Sequence, residues 1–175
     1  MRTVAVMLAY VFWHWPAVET NYEPALLAFH RALADHPPAG FRGLRTFRVG
    51  GHPWLPVPRA YEDWYFVEDF AALGALNDAA ISGPRQSVHD AIAALPAGGV
   101  ASLYGLVSER IERPRYAAFR SKPAGTPYPA YVAGLPRNAE AWQRKMVLGP
   151  SPEFCLCSVD ALEDSRSLDP IVERR

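Results

Sequence analysis

From Val4 to His14 the chain alternates between two sets of residues, and both sets are apolar. Val4, Val6, Leu8, Tyr10, Phe12 and His14 share one face, and Ala5, Met7, Ala9, Val11 and Trp13 share the other. A strand of that kind is covered on both sides. The stretch ETNYEPALLAFHRALADHPP then changes to helical spacing. Tyr22, Leu26, Phe29 and Leu33 form a stripe with His30 at its edge, and His36-Pro37-Pro38 ends the helix. Thr20 followed by Glu23 has the form of a capping box. GFRGLRTFRVGG, bounded by glycines, reads as a second strand with Phe41, Phe47 and Val49 on one face and Arg45 among them. In AYEDWYFVED, a third strand, Trp64 and Phe66 oppose Tyr61, Tyr65 and Val67. The link GGHPWLPVPR is too long and proline-rich for a two-residue turn, so a wider loop joins these strands. Asp69 caps a helix through FAALGALNDAA, and Ser82-Gly83-Pro84 breaks it. A further helix, PRQSVHDAIAAL, buries Val88, Ile92 and Leu95, and GGVASLYGLVSE is the fourth strand.

The order strand, helix, strand, strand, helix, strand is the split βαβ, ferredoxin-like arrangement of an α+β fold. Its own helices cover one sheet face. The first strand is apolar on the other face too, so a second copy of the chain is the expected cover, as a twofold dimer. Residues 1–110 form this core. Residues 111–159 read as an extension packed on it, with a short strand at Tyr116–Arg120, a helix after Thr126, a turn containing Trp142 and a strand near Phe154–Cys157. The charged stretch 160–175 reads as a mobile tail.

At 175 residues and half apolar, the chain can bury one sizeable core. Eighteen basic residues balance 18 acidic ones without a basic block, which argues against nucleic acid or a membrane surface as partner. The longest apolar run, Val4–Trp13, is far short of the roughly 20 residues of a membrane span. No signal-peptide pattern opens the chain, and Cys155 and Cys157 are spaced for neither a structural disulfide nor a zinc knuckle. A cytoplasmic protein is expected. Neither a phosphate loop nor a preformed metal site is written in the sequence.

The candidate chemistry centres on AYVFWHWP. His14 stands between Trp13 and Trp15 and shares a face with Tyr10 and Phe12. It is either a packed strand-end residue or a neutral base in an aromatic pocket. Arg45, on an apolar face, needs a partner: Glu62 or Asp63 in a structural role, or else the anionic group of a substrate. Trp64, Tyr65 and Tyr104 are core or pocket wall, and the two phenols can donate to a developing oxyanion. His30 borders the helical stripe, whereas His36 and His52 adjoin prolines in loops and read as structural or solvent-facing.

The spacing of FWHWP and YEPALLAFHRAL, then YEDWYFVEDFAALGALNDAAIS and SVHDAI, resembles the dimeric α+β barrel superfamily. Within it, the antibiotic-biosynthesis monooxygenase-like and ethyl-tert-butyl-ether-degradation-like groups are the most similar. The resemblance covers roughly residues 1–110. It implies a homodimer and activities ranging from cofactor-free oxygenation and cyclisation to haem chemistry. In the haem-degrading members a histidine on the second helix, in a comparable setting, ligates iron; SVHDAI offers His89 there, which otherwise reads as a solvated helix histidine beside Asp90. The expected function is an enzyme without metal or other cofactor, acting by proton transfer on an aromatic or polyketide-like small molecule. His14 would be the base and Arg45 or Tyr65 the oxyanion donor, while Tyr10, Phe12, Trp13, Trp15, His30, Trp64, His89 and Tyr104 would shape the pocket. The alternatives are a haem protein with His89 or His30 as axial ligand, and a non-catalytic small-ligand-binding or stress protein.

Overall fold

The computed structural model of the chain describes residues 7–174. Val4–Val6 of the expected first strand lie outside the described residues. The first half runs β1 (Leu8–Pro16), α1 (Tyr22–Asp35), β2 (Phe41–Gly50), β3 (Arg59–Val67), α2 (Phe70–Ala80), a 3-10 turn (Gly83–Arg85), α3 (Gln86–Ala93) and β4 (Pro96–Leu106). Asp69 caps α2 by accepting the Ala72 N–H at 2.9 Å. The capping box at α1 does not form. Asn21 is the N-cap residue with φ 66°, one position later than the box requires, and Glu23 turns instead to Arg48 at 2.7 Å. Gly40 (φ 73°) leads into β2 where a Cβ would meet the Ala72 side chain at 2.4 Å, so only glycine lets α2 lie this close.

The second half continues with β5 (Tyr116–Arg120), α4 (Tyr128–Ala133), β6 (Ala139–Arg144), β7 (Phe154–Ser158), β8 (Arg166–Ser167) and β9 (Asp169–Arg174). Trp142, expected in a turn, lies inside β6. The stretch expected as a tail from residue 160 supplies β8 and β9. Trp142, Phe154 and Leu156 are fully buried. At about 1.5–3 kcal/mol for each such side chain, this half is integral to the core.

All nine strands join one antiparallel sheet in the order β8-β5-β7-β6-β4-β1-β3-β2-β9. Two features of that order explain the molecule. The first half reads β4-β1-β3-β2, and the second, β8-β5-β7-β6, repeats it strand for strand, with a helix after the first strand in each. The two edge strands, β8 and β9, are separated in the chain by Leu168 alone, so the sheet curls round and closes through that residue.

The interior of this closed sheet is a core in which Ala9, Val11 and Trp13 of β1 pack with Trp64, Trp142, Cys155 and Leu168. The face assigned from sequence to a second copy is thus covered by the chain's own second half. Arg45 is buried there as well. Its Nη1 donates to Glu140 (2.9 Å), its Nε to Glu173 (3.0 Å) and its Nη2 to the Ile111 carbonyl (2.5 Å). These partners replace the expected Glu62 or Asp63.

Candidate active site

On the outer face of β1 and β3, beneath α1, α2 and α3, lies a cavity of about 600 Å³. The strand alternation points Tyr10, Phe12 and His14 into it, and the β1–β3 register sets Phe12 opposite Asp63 and His14 opposite Tyr61. Asp63 is therefore the diagonal neighbour of His14. Residues of the α1 stripe, Tyr22, Leu26 and Phe29, form part of the wall, with Leu76 of α2 and His89 of α3. A Cβ on Gly99 would meet the Phe12 ring at 2.5 Å, so that glycine gives Phe12 its place on the floor.

Asp63 is the hub. It is 1% exposed and accepts from Thr46 Oγ1 (2.7 Å), the Tyr65 hydroxyl (2.9 Å) and His14 Nε2 (2.9 Å), with His30 Nε2 at 3.3 Å. Burial pushes its pKa up, but the charges and hydrogen bonds of His30 and His14 outweigh this and hold it well below the usual carboxylate range. Asp63 is a carboxylate. Burial, then the charge of Asp63, raises the phenols of Tyr10, Tyr22 and Tyr65, so all three remain O–H groups.

The protons can then be assigned by counting. An ionised Asp63 only accepts, so Thr46 and Tyr65 each direct their single O–H to it. Their oxygens are left to accept from His30, whose Nδ1 lies 3.2 Å from Thr46 and Nε2 2.9 Å from Tyr65. Both ring nitrogens of His30 are thereby engaged beside Asp63. His14 donates through Nε2 to Asp63, which leaves its Nδ1 to accept the Tyr22 hydroxyl. The ring lies between Phe12 (centroids 4.8 Å) and Tyr61 (5.8 Å), nearly parallel to both. The result is a chain from Asp63 through His14 to Tyr22 at the cavity wall.

The structure gathers part of the expected set. His14, Tyr65, Tyr10, Phe12 and His89 line the cavity, and His30 stands against it, bonded to Thr46 and Tyr65. Arg45, Trp13, Trp64 and Tyr104 face the opposite side of the sheet. Trp15 lies over Gly98 and does not line this cavity. Tyr65 directs its proton to Asp63, so it orients the carboxylate and is not free to meet an oxyanion. Sequence reading missed Asp63 as a hub, and it missed Thr46 and Tyr22. The available signal was an aspartate between Tyr61 and Tyr65 on an apolar strand face.

Haem fits this cavity poorly. Both ring nitrogens of His30 are engaged, and the lining includes neither arginine nor lysine to meet propionates. Among the described lining residues His89 alone offers a ligand position, with Nδ1 3.3 Å from Asp90.

No family model matches the chain, and no curated protein matches it. Among solved structures the chain is similar to the "Putative monooxygenase" of Fusobacterium nucleatum subsp. nucleatum, with a TM-score of 0.61 at 11% identity. The match covers 99% of this chain and 95% of that one, so both halves take part. At that identity the likeness is one of fold: a mixed α+β fold shared with a protein of that name. Among the described residues no helix is long and apolar enough to cross a membrane.

Proposed function

We propose that the protein is an enzyme that deprotonates a planar aromatic or polyketide-like small molecule in the cavity beneath the helices. The observation that carries this reading is the Asp63–His14–Tyr22 chain ending at an aromatic wall. A substrate C–H or O–H proton passes to the Tyr22 oxygen while the Tyr22 proton passes to His14 Nδ1. Tyr22 stays neutral throughout, as its raised pKa requires, and the imidazolium formed is held by Asp63. The Tyr10 hydroxyl, on the same wall, takes the oxyanion-donor role expected of Arg45 or Tyr65. Cyclisation proceeds from the resulting enolate directly, whereas oxygenation needs dioxygen as the oxidant. The fold shared with the Fusobacterium protein supports an oxygenase-like enzyme.

The strand order of each half supports a ferredoxin-like reading. The closed sheet supports an α+β barrel of the dimeric superfamily's kind, built by one chain in place of two. Light scattering at micromolar concentration is then expected to give the mass of a single chain, and a stable dimer would show that another face associates. Cys155 and Cys157, buried free thiols, suit a cytoplasmic location.

The test is turnover of enolisable bicyclic and tricyclic phenols, followed by oxygen uptake and product analysis. His14→Gln is expected to lower the rate by about 10²–10⁴ with binding retained, and Tyr22→Phe to do the same. Equal turnover by wild type and both variants overturns the reading. A Soret band in freshly purified protein, lost in His89→Ala, would replace it with the haem alternative.

A further inference from the structure

Where the barrel interior opens beside the loop between β2 and β3, there is a second cavity of about 860 Å³. Among the described residues, four buried side-chain polar atoms have no hydrogen-bond partner: His52 Nδ1 and Nε2, Trp54 Nε1 and Arg144 Nε. All four belong to residues lining this cavity. Native structures leave few such atoms, so four in one place call for an explanation.

Their chemistry agrees. The Trp54 and Arg144 nitrogens can only donate, and His52 has a donor to offer. His52 is 4% exposed and stacks on Trp54 (centroids 4.5 Å), with Phe119 edge-on to both at 5.1 and 4.8 Å. Its Nε2 lies 3.3 Å from Glu62, but that carboxylate already takes the Trp13 (2.6 Å) and Trp64 (2.7 Å) indoles. Arg144 Nη1 donates to the Gly149 carbonyl at 2.9 Å and to that of Ser151. Neither Arg144 nor Arg166, also in the wall, has a carboxylate within ion-pair distance among the described residues. Of the two acids there, Glu153 accepts from Tyr128 and the Lys122 N–H, and Asp164 is the other.

We propose that this cavity is a second ligand site, for a small planar molecule bearing a carboxylate. The aromatic cluster presents surface for stacking, and the unmet N–H groups with the guanidinium of Arg144 recognise the anionic oxygens. The site is separate from the Asp63 array, because Trp13–His14 and Glu62–Asp63 are neighbours in the chain that face opposite sides of the sheet.

The probe is 2-naphthoate, measured by calorimetry and by the indole N–H resonances of the 15N-labelled protein. Saturable binding should shift the Trp54 indole signal, identified by its loss in Trp54→Phe. 2-Naphthylmethanol, without the carboxylate, should bind about tenfold or more weakly, and Arg144→Gln should weaken naphthoate by a similar factor. Trp54→Phe keeps the ring and loses the donor, and it carries the test where Arg144→Gln does not fold, with an expected loss of several-fold. Absence of saturable binding, equal affinity for the alcohol or an unmoved Trp54 signal each overturns the proposal.

Discussion

The two halves of the sheet share a strand order and differ in what covers their outer faces. The first half carries α1 of 14 residues, α2 of 11 and α3 of eight. The second has α4 of six residues, and residues 159–165 between β7 and β8 contain no helix. Under the long helices the sheet bears Tyr10, His14, Thr46, Asp63 and Tyr65 around a cavity. The corresponding outer face of the second half is Ala118, Ala139, Ala141 and Leu156, three alanines and one leucine packed with Leu135 and Leu162. On its outer face a sheet of this order leaves room for a site where helices stand far enough off, and there polar groups can be buried with partners. On the outer face of the other half, close packing of alanines leaves no such room.

The widest expected separation between the halves comes from Asp63. Asp63→Ala leaves the His14 and His30 rings without their anion and should lower unfolding free energy by about 3–5 kcal/mol in a denaturant titration. A loss below 1 kcal/mol would mean that the cluster is loosely held and cannot organise a base. The same carboxylate sets an acid dependence. Its folded pKa lies below the unfolded value of about 3.9, so its stabilisation is fully present above that pH and is lost as pH falls through and below it. Asp63→Asn should therefore show a flatter fall in stability below about pH 4 than the wild type; parallel acid curves would contradict the assigned ionisation.

Closure of the sheet should come next in size. Leu168, 6% exposed, lies between the edge strands, and Leu168→Ala is expected to cost about 2–3 kcal/mol. A neutral substitution would reduce the second half to an appendage. The smallest effect is expected where the halves meet in solvent. Arg48 is half exposed and reaches Glu23 of α1 and Asp169 of β9, so Arg48→Gln should cost less than about 1 kcal/mol, and less still at high salt.

Much of the first half was legible locally. Side chains along a strand alternate, so Leu8–His14 and Tyr61–Val67 could be sorted into two faces before any neighbour was known. The helical stripe of Tyr22, Leu26, Phe29 and Leu33 followed equally from spacing, and all four residues are buried. At the start of β2 the same rule failed for Phe41. A bulge between Phe41 and Gly43 shifts its register, and Phe41 packs on the helix side, apart from Phe47 and Val49. The partner of Arg45 was not legible either, since Glu140 stands 95 residues away and many acids compete for that role on paper.

The residues by themselves determined which side chains share a face, where the helices run and that β1 must be covered on both sides. Whether that cover is a second molecule or the chain's own second half was decided only by long-range pairing. Strand β8 has two residues, too few to show a period, and its pairing with β5 spans about 50 positions. Closure depends on shape accumulated over nine strands, and a property of that kind leaves no signature in any short stretch of sequence.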